Sequence, residues 1–151
     1  MEIQAVCDQI EIIGKAITGM ATAYSEPPEK MDTAMLPCLF VMAGDADYDL
    51  ESLGDDMGIE TGLYRLLVAI APYAEANLVL LEKRARALMD DVRDAFVSHQ
   101  ALDTLTDTVL KVTPVRRSAF KRLAEYGGEF VGFEITLRVQ TMFANTFASG
   151  E

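Results

Sequence analysis

The chain has 151 residues, 50% of them hydrophobic and 25% charged, with a formal net charge of −11. That composition belongs to a single globular domain with a core of its own and excludes a disordered chain. A surface this acidic repels phosphate, which excludes general nucleic-acid binding, and no apolar run approaches the ~20 residues that span a bilayer.

Residues 3–20 carry Ile3, Val6, Ile10, Ile13, Ile17 and Met20 at alternating spacings of three and four, one stripe of an amphipathic helix. Gly14 and Gly19 lower its propensity by roughly 1 kcal/mol each, so the helix depends on docking. The consecutive prolines of the segment from Tyr24 to Lys30 forbid helix and predict an extended connection. Leu36 to Ala43 is a dense apolar run suited to a strand, with Pro37 tolerated near its start.

Residues 44–60 are expected to form an acidic loop carrying Asp45, Asp47, Asp49, Glu51, Asp55, Asp56 and Glu60, exposed and mobile at the tip of an extended hairpin. The hairpin's second strand, Thr61 to Ala71, sets Leu63, Arg65 and Leu67 against Tyr64, Leu66, Val68 and Ile70, and Pro72 ends it. From Glu75 to about His99 the period becomes 3.6. Leu78, Leu81, Ala85, Leu88, Val92 and Phe96 form the expected buried stripe, with Glu82, Arg86 and Asp90 paired on the exposed side.

Residues 101–107 suggest a turn or short helix, and Val109 to Val115 a third strand. A basic connector follows from Arg116 to Gly128, holding Arg116, Arg117, Lys121 and Arg122 within seven residues. Tyr126-Gly127-Gly128 is a turn into the last strand, Phe130 to Gln140. The domain is expected to cover residues 1–143, with 144–151 a flexible C-terminal tail. No repeat or low-complexity segment interrupts it. The order helix, strand, strand, helix, strand, strand predicts an α+β fold, a mostly antiparallel four-stranded sheet with helices packed on one face.

The charge is unevenly placed. Residues 1–60 hold thirteen acids and two bases, whereas residues 61–151 hold eleven of each. An acidic loop in one half and a basic strip in the other fit a chain that binds copies of itself head to tail.

The motifs of common chemistry are missing from this sequence. It has no glycine-rich phosphate loop, C-x-x-C, H-E-x-x-H or G-x-S-x-G. The one histidine, His99, falls at a helix C-terminus and suits a capping role. Asp45, Asp47 and Asp49 share the spacing that opens an EF-hand. The sixth position, however, is Leu50 where glycine is needed, and the twelfth is Asp56 where glutamate is needed. Cys7 and Cys38 lack metal-ligand spacing and suit reduced, buried positions. The expectation is a protein without cofactor, metal or enzymatic activity. The acidic start Met1-Glu2-Ile3-Gln4 lacks the basic region of a secretory signal, so a soluble intracellular protein is expected.

Three segments stand out together: Met35-Leu36-Pro37-Cys38-Leu39-Phe40-Val41 after an amphipathic helix; Val68-Ala69-Ile70-Ala71-Pro72 feeding a long helix with Val92-Arg93-Asp94-Ala95-Phe96; and a closing strand from Tyr126 to Val139. In this order and spacing they resemble the tail terminator (minor tail) proteins of long-tailed bacteriophages. The resemblance runs from about Glu2 to Phe143. It implies a homo-oligomeric, hexameric ring that caps the tail tube, stops its polymerisation and receives the DNA-filled head. The implied partners are further copies, the tail tube protein and the head–tail connector or stopper protein. The implied place is the host cytoplasm during assembly and then the virion. An acidic loop turned inward would line the lumen and let DNA pass without specific binding. The alternatives are another neck, head–tail joining or tail-completion protein, or an acidic inhibitor that mimics DNA.

Overall fold

The computed structural model describes residues 2–50, 57–75, 77–99 and 109–144. Helix α1 (Glu2–Lys15) leads to strand β1 (Thr22–Tyr24), followed by β2 (Cys38–Asp49) and β3 (Met57–Pro72). Helix α2 (Leu78–Ser98) precedes β4 (Val109–Arg117), the two-residue β5 (Lys121–Arg122) and β6 (Phe130–Ala144). No helix among the described residues is long and apolar enough to cross a membrane.

The strands form one six-stranded mixed sheet in the order β1-β2-β3-β6-β4, with β5 also paired to β6. This corrects the expected four-stranded, mostly antiparallel sheet and its α-β-β-α-β-β order. Two short strands make the difference. β1 lies parallel to β2, Thr22 opposite Cys38 and Tyr24 opposite Phe40; three residues are too few for a period to show. β5 holds only Lys121 and Arg122, opposite Gly132 and Val131, and its pairing rests on the neighbouring backbone rather than on apolar side chains.

The centre of the sheet is the β3–β6 ladder, in register from Met57 opposite Ala144 to Pro72 opposite Phe130. Leu66, Val68, Phe133, Ile135 and Leu137 point to one face and are almost fully buried there with Val6, Ile10 and Ile13 of α1 and Ala85, Leu88, Val92 and Phe96 of α2. The α1 stripe docks through Val6, Ile10 and Ile13, but the helix stops at Lys15 rather than at residue 20, so Ile17 and Met20 are buried from the turn that follows it, and Ile3 at its start is exposed. The α2 stripe begins at Leu81: Leu78, placed in it by periodicity, is 51% exposed, and Met89 is buried instead. His99 is the C-cap residue of α2.

A second, smaller core covers part of the opposite face. Phe40, Leu67, Ala69, Leu123 and Phe130 pack there with Met31, and Met35 and Leu36 close over them. Residues 25–37 form the crossover that a parallel β1–β2 pair demands, and they lie across this face. The tyrosine hydroxyl of Tyr126 donates to the Pro28 carbonyl. Its ring meets Phe40 and Phe130 edge-on at 5.7 and 6.2 Å. These contacts hold Tyr126 at φ 57, the left-handed region, where it and Gly127 turn the chain into β6.

Both cysteines are buried and neither forms a disulfide. Burial, with a smaller contribution from Asp8, pushes the Cys7 thiol up to about 11. It therefore stays protonated and inert at neutral pH.

Two outcomes test this packing. Leu88→Ala and Ile135→Ala each empty a buried position of the main core and are expected to cost about 2–5 kcal/mol in urea unfolding. Gly132→Ala is expected to cost at least about 1–3 kcal/mol, because a Cβ there would stand 1.8 Å from the Val68 carbonyl oxygen beside the irregularity at Ala69/Ala71. A Gly132→Ala variant as stable as the parent would show that β3 and β6 are not in this register.

Candidate functional site

The acidic segment is not a loop through residues 44–60. β2 continues to Asp49 and β3 begins at Met57, so Asp45, Asp47 and Asp49 lie on or beside a paired strand. The reason is visible in the run Asp-Ala-Asp-Tyr-Asp, which has the two-residue period of a strand. Ladder pairing outweighs the poor strand propensity of aspartate, and each carboxylate remains exposed, so none is desolvated. Glu51, Asp55 and Asp56 lie outside the described residues.

A bulge decides which way this arm faces. Ala43 pairs with Tyr64, but the next pair is Ala46 with Gly62, so β2 holds one extra residue there. One extra residue exchanges the two faces of the strand beyond it. Val41 and Ala43 face the helices; past the bulge it is Tyr48 and Leu50 that share this side, and Asp47 and Asp49 take the other. Tyr48 meets Phe143 edge-on at 5.9 Å yet is 64% exposed, and Leu50 is 48% exposed.

The arm is exposed because the helices are too short to cover it. The 16 residues of β3 span roughly 50 Å and the 21 of α2 roughly 30 Å. Past Val41 on β2 and before Tyr64 on β3, neither strand adds a residue to the helix-side core, so this end of the β2–β3 hairpin projects beyond the two-layer body.

The four bases of the connector likewise lie in strands. Arg116 and Arg117 end β4, Lys121 and Arg122 form β5, and only residues 118–120 intervene. Glu134 of β6 holds this corner: its carbonyl accepts from the Ser118 amide at 2.8 Å, and its amide donates to Ser118 Oγ at 2.9 Å. The four bases are spread over three depressions that share lining residues. Arg116 and Lys121 line a shallow depression of about 300 Å³ with Arg65, Ser118, Glu134 and Thr136. Arg116 also lines a second with Arg117, Met89, Asp90 and Arg93. Lys121 lines a third with Arg122, whose Nε donates to the Gly128 carbonyl and whose guanidinium stands 4.1 Å from the centre of the Tyr73 ring.

Arg65 and Glu134 were not among the residues expected to matter, and they anchor the open face. Arg65 Nε and Nη2 each donate to a Glu134 carboxylate oxygen at 2.8 Å, a bidentate pair across β3 and β6, and Nη2 also reaches Glu125 at 3.4 Å. The hydrogen bond to Arg65 holds the Glu134 carboxyl below the usual carboxylate range, with Lys121 and Arg116 assisting electrostatically. Glu134 in turn raises the Arg65 guanidinium further above its usual value. The sequence signal was a lone arginine on the Leu63–Leu67 side of an otherwise apolar strand. Its partner, 69 positions away, had none.

The sign of the pH effect follows from the Glu134 shift. A carboxyl depressed in the folded state adds stability above its unfolded value of about 4.5, and that stability is lost as pH falls through the lower folded value. Glu134→Gln should therefore lower stability at pH 7 by about 1–2 kcal/mol, a charged hydrogen-bond contribution reduced by the partial exposure of Arg65. It should also flatten the acid side of the stability profile. An unchanged acid slope would remove Glu134 from that role. Replacing Asp45, Asp47 and Asp49 with Asn relieves like-charge repulsion between exposed groups, and thermal melting is expected to stay level or rise.

No protein-family model matches the chain, and no curated protein matches it in sequence.

Proposed function

We propose that this chain is the repeating subunit of a ring in the neck or tail of a long-tailed bacteriophage. The ring caps the tail tube, ends its growth and joins it to the DNA-filled head. The proposal starts from the likeness of three segments to tail terminator proteins, with six copies per ring and the tube protein and a head–tail connector as neighbours. One observation on the fold carries it: the acidic stretch of β2 pairs with the first residues of β3, whereas Lys121 and Arg122 pair with the residues of β6 that lie opposite the last residues of β3.

Identical subunits close a ring only through two different surfaces that fit each other. Arm against arm repels, and so does basic strip against basic strip; arm against strip attracts. That preference favours head-to-tail contacts over a twofold dimer. The net charge of −11 supports the passage of DNA, since a lumen walled by such subunits repels phosphate and gives it nothing to hold. A structural, non-catalytic role is part of the proposal; the Cys7 thiol is kept protonated by burial, and the Glu134 carboxylate is paired with Arg65.

Native mass measurement with negative-stain imaging tests the proposal. Closed rings that dissociate as salt rises are expected, because exposed charges are screened beyond ~8 Å at physiological ionic strength. Arg117→Glu with Arg122→Glu should impair assembly and tail capping while leaving circular dichroism unchanged. Rings that join heads to tails without capping tubes would identify a joining or completion protein of the same particle. Discrete monomers that bind a nuclease or polymerase would overturn the proposal in favour of an acidic inhibitor.

A further inference from the structure

We infer that the arm of one copy plugs into a groove on a second copy. Tyr48 and Leu50 seat against Leu78, Val79 and Phe120, and Asp47 meets Lys121 and Arg122. The inference rests on the ring proposal only in taking the partner to be a second copy of this chain.

The groove lies between the first turn of α2 and β5, holds about 350 Å³ and is lined by Leu78, Val79, Phe120, Lys121 and Arg122, together with Tyr73 and Val131. Leu78, Val79 and Leu80 are 51%, 71% and 59% exposed. Leu78 and Val79 line the groove beside Phe120, and an exposed apolar surface rimmed by charge marks an interaction surface. Asn77 caps the helix, its side chain accepting from the Leu80 amide at 3.3 Å, so this turn is formed without a partner. Arg122 is already positioned by Gly128 and Tyr73. Little side-chain entropy remains to be lost there on binding.

The arm offers the complement on both counts. Past the bulge, Tyr48 and Leu50 lie on one face of the strand and Asp47 on the other, which matches a groove with an apolar helical wall and a basic strand wall. Glu82 also lines the groove, on the helix side; its charge repels an inverted arm and fixes the orientation.

The contact must be between copies. β3 itself connects the arm to the groove, running from Met57 beside the arm to Pro72 just before Tyr73. Tyr48 lies opposite Glu60 and Arg122 is level with Ala71, so the two surfaces stand roughly 35 Å apart along a paired strand, and neither can fold back to the other. Each copy has one plug and one socket, the heterologous arrangement that closes rings or extends filaments.

Sedimentation of the full-length parent, Tyr48→Asp, Val79→Asp and their equimolar mixture tests this. Both substituted positions are exposed, so circular dichroism should not change; Tyr48→Ser and Val79→Ser replace either variant if it does. Each variant alone should self-associate at least about tenfold more weakly than the parent, the loss expected of a central contact. The mixture should form heterodimers and nothing larger, because only one of its two contacts is intact. Asp47→Lys should be rescued by Lys121→Glu in a partner copy. Variants that associate as the parent does, or a mixture no better than its components, would overturn the inference. Rings that persist in both variants sink this contact but spare the ring proposal. Parent filaments that never close, and that both variants dissolve, support this contact and sink the ring. A parent that stays monomeric at all concentrations overturns both.

Discussion

The continuous ladder between β3 and β6 is the constraint from which the rest of the molecule follows. It runs the length of both strands, and its middle is buried on both faces: Val68 and Phe133 toward the helices, Leu67 and Ala69 away from them. A strand buried on both sides loses every alternative pairing that would turn one of its faces to water. Its register is accordingly fixed, and β2, β4 and β5 take theirs from it. The Gly132 position shows how close the fit is, since the backbones there approach within the space a single Cβ would need.

The two faces of the sheet are finished by different physics. The helix side is closed by two amphipathic stripes and hydrophobic burial. The other side is part apolar, under residues 25–37, and part ionic, where Arg65 bridges Glu134 and Glu125. Arg65 satisfies two carboxylates that would otherwise repel each other, and Arg116 and Lys121 stand beside them. The basic connector is thus partly structural: Arg116 and Lys121 help to hold the Glu134 charge, while Arg117 and Arg122 lie outside that network.

Legibility in the sequence tracked length and periodicity. α1, α2 and the apolar portions of β2, β3, β4 and β6 fall where their spacing places them, because a stripe repeated over several turns or pleats leaves few alternatives. Three features had no such signal. β1 and β5 are three and two residues long and exist because a neighbour offers hydrogen bonds. The acidic stretch contained a strand period, but its composition resembles a loop, and only pairing with Ile59–Gly62 decides between them. The α2 stripe starts at Leu81 rather than at Leu78, since one exposed turn of leucine and valine has the same spacing as a buried one. The apolar groove therefore lay hidden in what looked like core.

The irregularity between Ala43 and Ala46 places a limit on how this chain can change over time. Removing one residue there would leave every hydrogen bond of the ladder available, yet it would turn the carboxylates toward the helix side and the tyrosine and leucine away from it. The body would fold as before, since none of its core residues lie past that point on β2. Insertions and deletions in the arm are therefore filtered by parity: changes of two residues only lengthen or shorten the arm, while changes of one reverse it.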